Sequence, residues 1–352
     1  MPSPNDVLFR VDAARIRGLS FGHLFRCLAL AVELRERHGT GATFVMRDHS
    51  EGVSVPVGHG FPVLRLKVDA SAEDEAAALA GRPEEAIVVD LPHPDRALLE
   101  RLVAAGRIVT VIDDLGGRPL PATRIVNGSI VPERLHYPER LDAGAHPHAP
   151  SLLLLGPEYA VLGAEFDAPA GRFNASGTNP PSLLVTFGGS DPAGLTLPVL
   201  DLITELRPEG DVHIVAGPGF GTLAELEARA REAGPRVHVH HNPPDLAALM
   251  RRADAAVAAA GRTPFELARL GVPALLIPSI EHEREVASAF ARRGCALAVE
   301  RWNPVTVRPC LKRLLGDAAL RQRLSRAGPT VVDGQGRTRL AALLARRDSA
   351  GV

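Results

Sequence analysis

The stretch Arg107-Ile108-Val109-Thr110-Val111-Ile112-Asp113 decides the fold, because an almost wholly apolar run ends there at a single aspartate. A second run of the same kind, Ala86-Ile87-Val88-Val89-Asp90-Leu91, precedes it along the chain. Strands that are buried on both faces have this composition, which is typical of a parallel sheet covered by helices. Each aspartate stands at or next to the carboxyl end of its strand, where open α/β sheets bind ligands. The sequence therefore predicts an α/β fold with a ligand site at this edge.

Short apolar runs alternate with helical patterns in both halves of the chain. In the first half we predict strands over 6–12, 42–47, 62–66, 86–91, 107–113, 123–127 and 151–155, and helices over 23–38, 71–81 and 94–105. In the second half we predict strands over 182–187, 211–215, 236–240, 254–259, 273–278 and 295–299. The helices there are predicted over 196–208, 221–233, 244–252, 264–270, 283–293, 304–316, 317–326 and 336–347. This order predicts two Rossmann-like domains facing a cleft, which is the default place for a ligand.

A segment rich in glycine, proline and small polar residues separates the two halves, as is typical of a linker. A length of 352 residues also favours two domains over one. We predict an N-terminal domain over 1–168, a linker over 169–181, a C-terminal domain over 182–335, and a closing helix and tail over 336–352.

Composition and charge argue against several classes of protein. The formal net charge of −1 gives no electrostatic reason to expect nucleic acid or an acidic membrane as a partner. Cys27, Cys295 and Cys310 are widely spaced, which favours neither a zinc site nor a disulfide framework. The first residues lack the regions of a signal peptide, and no apolar run approaches the ~20 residues of a membrane span. We expect a soluble, cytoplasmic protein that acts on a small molecule.

The segment Phe21-Gly22-His23-Leu24-Phe25-Arg26-Cys27 follows the first predicted strand and places a histidine at the start of an amphipathic helix. Gly22 has no side chain to block a ligand, and the helix N-terminus offers free N–H groups and a partial positive charge. An imidazole in such a place is a candidate general base near neutral pH. The alternative interpretation is structural, with Gly22 making a tight turn and His23 beginning the helix.

A glycine-rich turn follows the first strand of the second half, in the segment Thr186-Phe187-Gly188-Gly189-Ser190-Asp191. Two glycines permit a sharp turn and a close approach of the backbone to an anion. The strand–turn–helix context favours contact with a phosphate, although the motif is neither a Walker A loop nor G-x-G-x-x-G. A plain turn in which Ser190 and Asp191 cap the next helix is the alternative.

A second anion site is predicted in the segment Ala260-Gly261-Arg262-Thr263-Pro264-Phe265-Glu266, where a strand of small residues ends and a helix begins. Proline suits the first helical position, and the free N–H groups of the first turn bind anions. Glu266 could accept two hydrogen bonds from a ribose diol. The alternative is a capping box formed by Thr263 and Glu266, which needs no ligand.

The sequence predicts no metal site. Asp113-Asp114 resembles an acidic metal motif, but no second acidic or histidine cluster nearby completes a ligand set. Further histidines stand in a proline-rich loop and at a strand end, and we interpret them as surface residues: His146 and His148, and His238, His240 and His241.

Segments spread over the chain together carry a resemblance to a known family. They are Phe9-Arg10-Val11-Asp12-Ala13, Gly22-His23-Leu24-Phe25-Arg26-Cys27, Val111-Ile112-Asp113-Asp114-Leu115, Gly156-Pro157-Glu158-Tyr159-Ala160-Val161-Leu162, Thr186-Phe187-Gly188-Gly189-Ser190-Asp191 and Ala260-Gly261-Arg262-Thr263-Pro264-Phe265-Glu266. In this order the chain resembles the UDP-2,4-diacetamido-2,4,6-trideoxy-β-L-altropyranose hydrolases of pseudaminic acid biosynthesis and the related spore coat polysaccharide biosynthesis proteins. The resemblance implies the GT-B glycosyltransferase fold, similar to the N-acetylglucosaminyltransferase of lipid II synthesis. It also implies cleavage of a UDP-sugar by water attack at the anomeric carbon, without a metal or another cofactor.

The resemblance assigns roles to individual residues. His23 matches a general base for the water, and Glu266 matches a carboxylate that holds the uridine ribose. The residues that match the phosphate-side turn and the diphosphate loop are Gly188, Gly189, Ser190, Gly261, Arg262 and Thr263. The predicted substrate contacts are Asp12, Gly22, Arg26, Asn127 and Glu283.

The chain departs from the family pattern mainly on the predicted sugar side. The segment that leads to Gly22, residues 17–21, is longer than in the family pattern. Leu91-Pro92-His93 stands where the family commonly has a tyrosine. Gly163 replaces an arginine of the family, and Glu283 replaces a glutamine. The resemblance therefore favours a nucleotide-sugar donor over the specific altrose substrate. Two alternatives stay open: a glycosyltransferase with the same fold and base, and a nucleotide-sugar binding protein without activity.

Overall fold

The computed structural model describes residues 2–14, 16, 19, 21–137, 152–167 and 180–346. The chain divides into two compact units, the first made of Met1–Gly163 with Gln335–Val352 and the second of Ala164–Gly334. Of the predicted linker over 169–181, only Pro180 and Pro181 lie within the described residues.

The first unit is built on a parallel sheet in which each predicted strand of the first half is confirmed. The strands are β1 (Val7–Val11), β2 (Ala42–Arg47), β3 (Val63–Leu66), β4 (Ala86–Asp90), β5 (Ile108–Ile112), β6 (Arg124–Asn127) and β7 (Leu152–Leu155). Their order is β3-β2-β1-β4-β5-β6-β7, and neighbouring strands are parallel. The chain proceeds outward from β1 in one direction and then from β4 in the other. The topological switch point, where such sheets bind ligands, therefore lies between β1 and β4.

Helices cover both faces of this sheet: α1 (Phe21–His38), α2 (Ser50–Gly58), α3 (Ala72–Ala80) and α4 (Arg96–Ala104). Helix α1 begins at Phe21 rather than at residue 23, so Gly22 and His23 both lie in its first turn, and Gly22 is helical rather than part of a turn. Helix α2 was not predicted, because its glycines, its proline and its alternating valines are atypical of a helix. Gly52 of α2 packs against the loop after β1, since a Cβ atom there would lie 2.1 Å from the carbonyl oxygen of Ala13.

The second unit repeats the same topology. Its strands are β8 (Leu183–Thr186), β9 (Val212–Ala216), β10 (Val237–His241), β11 (Ala255–Ala258), β12 (Ala274–Leu276) and β13 (Ala296–Ala298), in the order β10-β9-β8-β11-β12-β13. Its helices are α5 (Thr196–Leu206), α6 (Leu223–Ala233), α7 (Leu246–Arg252), α8 (Thr263–Leu270), α9 (Glu283–Arg292), α10 (Pro304–Gly316) and α11 (Ala318–Val331). The strands are again parallel. The switch point lies between β8 and β11.

The closing helix α12 (Gly336–Ala345) belongs to the first unit, where it packs against α1. Arg337 donates from Nε to Glu33 Oε2 at 3.0 Å and from Nη1 to the carbonyl oxygen of Leu162 at 3.1 Å. The Thr338 hydroxyl donates to the other oxygen of Glu33 at 2.8 Å. Glu33 and Arg337 are both buried, and this ion pair joins α12 to α1.

Within the described part of the chain, no helix has the length and apolar character needed to cross a bilayer.

Candidate functional site

The switch point of the first unit brings His23 to Asp90. His23 lies in the first turn of α1, and Asp90 is the last residue of β4. His23 Nδ1 lies 2.7 Å from Asp90 Oδ1, and the side chains are 17% and 0% exposed. Because an ionised carboxylate only accepts hydrogen bonds, the neutral imidazole carries its proton on Nδ1 and its lone pair on Nε2. Arg26 Nη2, which lies 3.2 Å from Nδ1, then donates to Asp90 rather than to the ring. The pair therefore holds an imidazole in the tautomer that can accept a proton at Nε2.

Arg26 joins this pair to a second carboxylate. It donates from Nε and Nη2 to Asp90 at 2.8 and 2.6 Å, and from Nη1 and Nη2 to Asp114 at 2.8 and 3.1 Å. Burial would raise the pKa of Asp90, but the charge of Arg26 and the hydrogen bonds from His23 and Arg26 hold that pKa well below its usual range. Asp90 is therefore ionised at neutral pH, as the tautomer of His23 requires.

The sequence pattern places Asp90 at a ligand edge without assigning it a role, and it predicts no metal site at Asp114. Their common signal is an acidic residue at the carboxyl end of an apolar run, on the neighbouring strands β4 and β5. The structure adds the partners. Asp90 contacts His23 and Arg26, whereas Asp114 contacts Arg26 and keeps half of its side chain exposed.

Asp12, a predicted substrate contact, is buried after β1. Its carboxylate accepts from the backbone N–H of Arg47 at 2.8 Å and pairs with Arg10 Nη1 at 2.7 Å. Arg10 in turn donates to both oxygens of the buried Glu75. These contacts give Asp12 a structural role between β1 and β2, and its contact with a substrate stays a prediction.

Asn127, another predicted substrate contact, is also buried, and both ends of its amide bind protein groups. The amide nitrogen donates to the Tyr137 hydroxyl at 3.0 Å, and the amide oxygen accepts from the backbone N–H of Ser129 at 3.0 Å. Tyr137 donates to the buried Asp113, and burial together with that hydrogen bond raises the pKa of Tyr137. Asn127 thus supports the loop after β6, and its contact with a substrate stays a prediction.

The predicted phosphate turn lies at the switch point of the second unit, directly after β8. Gly188, Gly189 and Ser190 are exposed, and Gly188 has a φ of 78°, which only glycine adopts without strain. Asp191 accepts from the backbone N–H groups of Leu195 and Thr196 at 2.9 and 2.7 Å. The aspartate therefore caps α5, as the plain-turn alternative expects, while Gly188, Gly189 and Ser190 stay exposed, and their contact with a phosphate stays a prediction.

A third glycine supports this turn and was missed from the sequence. A Cβ atom on Gly217 would lie 2.5 Å from Gly189 Cα and 2.6 Å from the carbonyl oxygen of Gly188. The backbone N–H of Gly219 donates to the carbonyl oxygen of Gly189 at 2.8 Å. The signal was the segment Gly217-Pro218-Gly219 after β9, because closely packed turns at one sheet edge require residues without side chains.

The predicted diphosphate loop lies across the same switch point, after β11. Helix α8 begins at Thr263, and Arg262 precedes it with no side chain capping the helix within the described residues. Thr263 is thus the first helical residue rather than the N-cap, so the alternative of a capping box with Glu266 is wrong. Free N–H groups at such an uncapped end, next to Gly261 and Arg262, suit an anion.

Glu266 is half-buried in the first turn of α8, and its side chain makes no hydrogen bond to any residue that the structure describes. Burial raises the pKa of Glu266, and the neighbouring Arg262 partly opposes this rise. A carboxylate in such a place has its hydrogen-bonding capacity available to a ligand.

Glu283, the predicted sugar contact of this unit, is the first residue of α9 and is buried. Its Oε2 accepts from the backbone N–H of Ser279 at 2.7 Å and from that of Ala260 at 3.3 Å. A Cβ atom on Gly261 would lie 3.1 Å from Glu283 Oε1. Glu283 therefore ties the end of β12 to the diphosphate loop, and its contact with a sugar stays a prediction.

Four histidines of the second unit lie on β9 and β10: His213, His238, His240 and His241. His213 Nδ1 lies 3.1 Å from His240 Nε2, and the rings of His213 and His238 stack at 5.0 Å. Burial, followed by the proximity of the other imidazoles, lowers the pKa of His213 and of His240. In the described ranges no group of three or more His, Cys, Asp and Glu side chains is placed to hold a metal ion. His146 and His148 lie outside those ranges.

No protein-family model matches the chain. The spore coat polysaccharide biosynthesis protein SpsG of Bacillus subtilis is 31% identical over 193 residues, which make up 54% of this chain and 57% of that protein. The chain spans only 57% and 56% of the lengths of two curated relatives that it matches.

Solved structures resemble the chain over nearly its whole length. MurG of Acinetobacter baumannii has a TM-score of 0.69 at 14% identity, with 96% of this chain and 99% of that chain covered. UGT2 of Phytolacca americana, solved with UDP-2fluoro-glucose and pterostilbene, has a TM-score of 0.66 at 13% identity, with 97% and 99% covered. The chain therefore has the GT-B glycosyltransferase fold, which confirms the predicted fold class.

Proposed function

We propose that the chain is a nucleotide-sugar hydrolase of carbohydrate biosynthesis, which releases UDP and a free sugar without a metal ion. The observation that carries the proposal is the hydrogen bond between His23 Nδ1 and Asp90 Oδ1, 2.7 Å long, at the switch point of the first sheet. The similarity to a protein named for spore coat polysaccharide biosynthesis supports the pathway class. The fold, which UGT2 shares, supports a UDP-linked donor.

In this mechanism His23 acts as a general base. Nε2 accepts a proton from water while the water oxygen bonds to the anomeric carbon, and the bond from that carbon to the UDP oxygen breaks. The imidazolium that forms is stabilised by the buried, ionised Asp90, which also keeps the ring in the required tautomer. A positioned base of this kind contributes typically about 10²–10⁴-fold to the rate.

The second unit would bind the nucleotide. The N–H groups at the start of α8 and in the turn Gly188-Gly189-Ser190 would stabilise the charge that develops on the departing diphosphate. Arg262 would add a cation next to that helix end, and Glu266 would accept hydrogen bonds from the ribose hydroxyls. Each of these groups is polar and lies at the carboxyl edge of the sheet.

The test is turnover of UDP-, CMP-, GDP- and dTDP-sugars, followed by NMR of the free sugar and its anomeric configuration. We expect His23→Ala to lose at least about 100-fold in kcat while its UDP affinity, measured by calorimetry, changes less than about twofold. His38→Ala removes an exposed histidine from the same helix and is the matched control. Full hydrolysis by His23→Ala would refute the assignment of the base. Unchanged activity in EDTA is expected.

Sugar transfer is the second candidate, because UGT2, which shares the fold, was solved with pterostilbene in addition to UDP-2fluoro-glucose. The same base would then deprotonate a hydroxyl or amine of an acceptor instead of water. Incubation with a donor alone separates the candidates, since only a hydrolase releases free sugar rapidly. Tight UDP binding without turnover of any donor, with or without acceptors, would identify a binding protein instead.

A further inference from the structure

Arg26 was expected to contact the substrate, but its hydrogen bonds are directed to two carboxylates. The Nε–Nη2 edge of the guanidinium faces Asp90, and the Nη1–Nη2 edge faces Asp114. A planar guanidinium presents two such bidentate edges, and both are used here. Both donor edges of Arg26 are therefore occupied. A ligand near this side chain meets the carboxylates that Arg26 binds before it meets the guanidinium itself.

Asp114 is the member of this arrangement that faces solvent. Its side chain is 51% exposed, compared with 10% for Arg26 and 0% for Asp90. Asp114 Oδ2 lies 3.9 Å from His23 Nδ1, so the carboxylate borders the imidazole ring. A group bound at His23 thus lies within a few ångströms of an exposed carboxylate in a fixed position.

Arg26, Asp90 and Asp114 together carry one net negative charge while His23 is neutral. Burial would raise the pKa of Asp114, but the charge of Arg26 and its hydrogen bonds lower that pKa below its usual value. Asp114 is therefore ionised at neutral pH. Arg26 balances one of the two negative charges, and Asp114 is the exposed member of the pair of carboxylates.

We propose that Asp114 determines the substrate specificity of the first unit, by accepting hydrogen bonds from hydroxyl or amide N–H groups of the sugar and by repelling anionic sugars. The proposal deepens the proposed function and rests on it, because His23 must face the sugar. The substrate class is then a nucleotide-linked neutral sugar. Uronic acid donors, which carry a carboxylate on the ring, are disfavoured.

The test compares matched donors that differ in one carboxylate: UDP-glucose with UDP-glucuronic acid, and UDP-N-acetylglucosamine with UDP-N-acetylglucosaminuronic acid. Calorimetry gives the Kd ratio of the acidic to the neutral member for each variant, with UDP alone as the reference. Two like charges about 6 Å apart, at a dielectric constant between those of water and the protein interior, correspond to a ratio of about tenfold. We expect that ratio for the natural chain and a ratio near one for Asp114→Asn, with UDP affinity unchanged.

Asp48→Asn is the matched control, since Asp48 is also an exposed aspartate paired with an arginine at the carboxyl edge of this sheet. Its side chain is 48% exposed, and it lies 3.2 Å from Arg65 Nη1. We expect its Kd ratio to equal that of the natural chain. Asp114→Asn with an unchanged ratio would overturn the proposal, as would a natural chain that binds the acidic donors as tightly as the neutral ones.

A second measurement uses the natural chain alone. The preference for the neutral donor should shrink several-fold between 0.05 and 0.5 M salt, because salt screens an exposed charge. A preference that does not change with salt would contradict the proposal even if Asp114→Asn failed to fold. These ratios are binding measurements that need no turnover. They therefore fail independently of the proposed hydrolysis, which depends on the His23→Ala result.

Discussion

Replacing Asp90 with asparagine tests whether the buried carboxylate orients His23. The carboxylate accepts from His23 Nδ1 at 2.7 Å and from Arg26 Nε and Nη2 at 2.8 and 2.6 Å. Asparagine keeps the volume, but its NH₂ end cannot accept a hydrogen bond. Breaking a buried ion pair costs about 3–5 kcal/mol when the other charge is left unpaired. Because Arg26 keeps Asp114, we expect the free energy of unfolding to fall by about 2–3 kcal/mol, which leaves the protein folded.

Asp90→Asn should also lower activity, by at least as much in free energy as it lowers stability. An amide that donates to Nδ1 favours the tautomer with its proton on Nε2, which cannot accept a proton from water. We expect kcat to fall about 10²–10⁴-fold with UDP affinity unchanged, as measured by NMR of the released sugar and by calorimetry. In the His23→Ala background Asp90→Asn should have little further effect on kcat, because it acts through that ring. A folded Asp90→Asn variant with kcat within threefold of the natural chain would refute the reasoning.

Three further predictions concern the second unit. Gly217→Ala places a Cβ atom 2.5 Å from the backbone of the phosphate turn, so UDP affinity, measured by calorimetry, should fall about tenfold. Gly221→Ala is the control and should leave the affinity unchanged, because a Cβ atom at Gly221 would meet no other atom within 4 Å. Glu283→Ala leaves two backbone N–H groups without an acceptor, so urea denaturation should show a loss of about 1–3 kcal/mol, and an unchanged midpoint would contradict this role. Because the pKa of His240 is lowered in the folded state, stability should fall as the pH drops below the unfolded value of about 6.5. His240→Gln should therefore show a smaller fall in Tm between pH 7.5 and 5.5, and the exposed neighbour variant His241→Gln should match the natural chain.

Strands and most helices were predictable because their signals are local. The apolar runs that end at Asp90 and Asp113 predict strands that are buried on both faces, and the structure has β4 and β5 there. Helix α2 lacks such a signal, because Gly52 and Pro56 are weak or poor helix formers. It forms because tertiary packing requires it, with Gly52 close against the loop after β1.

The pairing of His23 with Asp90 was not predictable from one sequence. His23 and Asp90 are 67 positions apart, and they meet because β1 pairs with β4 in a register that sets Val11 opposite Asp90. Arg26 has the appearance of a free cation on an amphipathic helix, and only the tertiary structure supplies its two acidic partners. Sequence patterns thus place polar residues at an edge, whereas strand order decides which of them touch.

The two units place different chemical groups at the same point of one topology. Both sheets place their switch point between the first and fourth strands of the unit. In the first unit that point holds an imidazole and two carboxylates, namely His23, Asp90 and Asp114. In the second it holds an exposed glycine turn and an uncapped helix N-terminus, which offer N–H donors. Because both units share the fold, the expected difference in their functions depends on these side chains and turns. Variants of the first unit should therefore change kcat and the discrimination between sugars, and variants of the second should change the affinity for UDP.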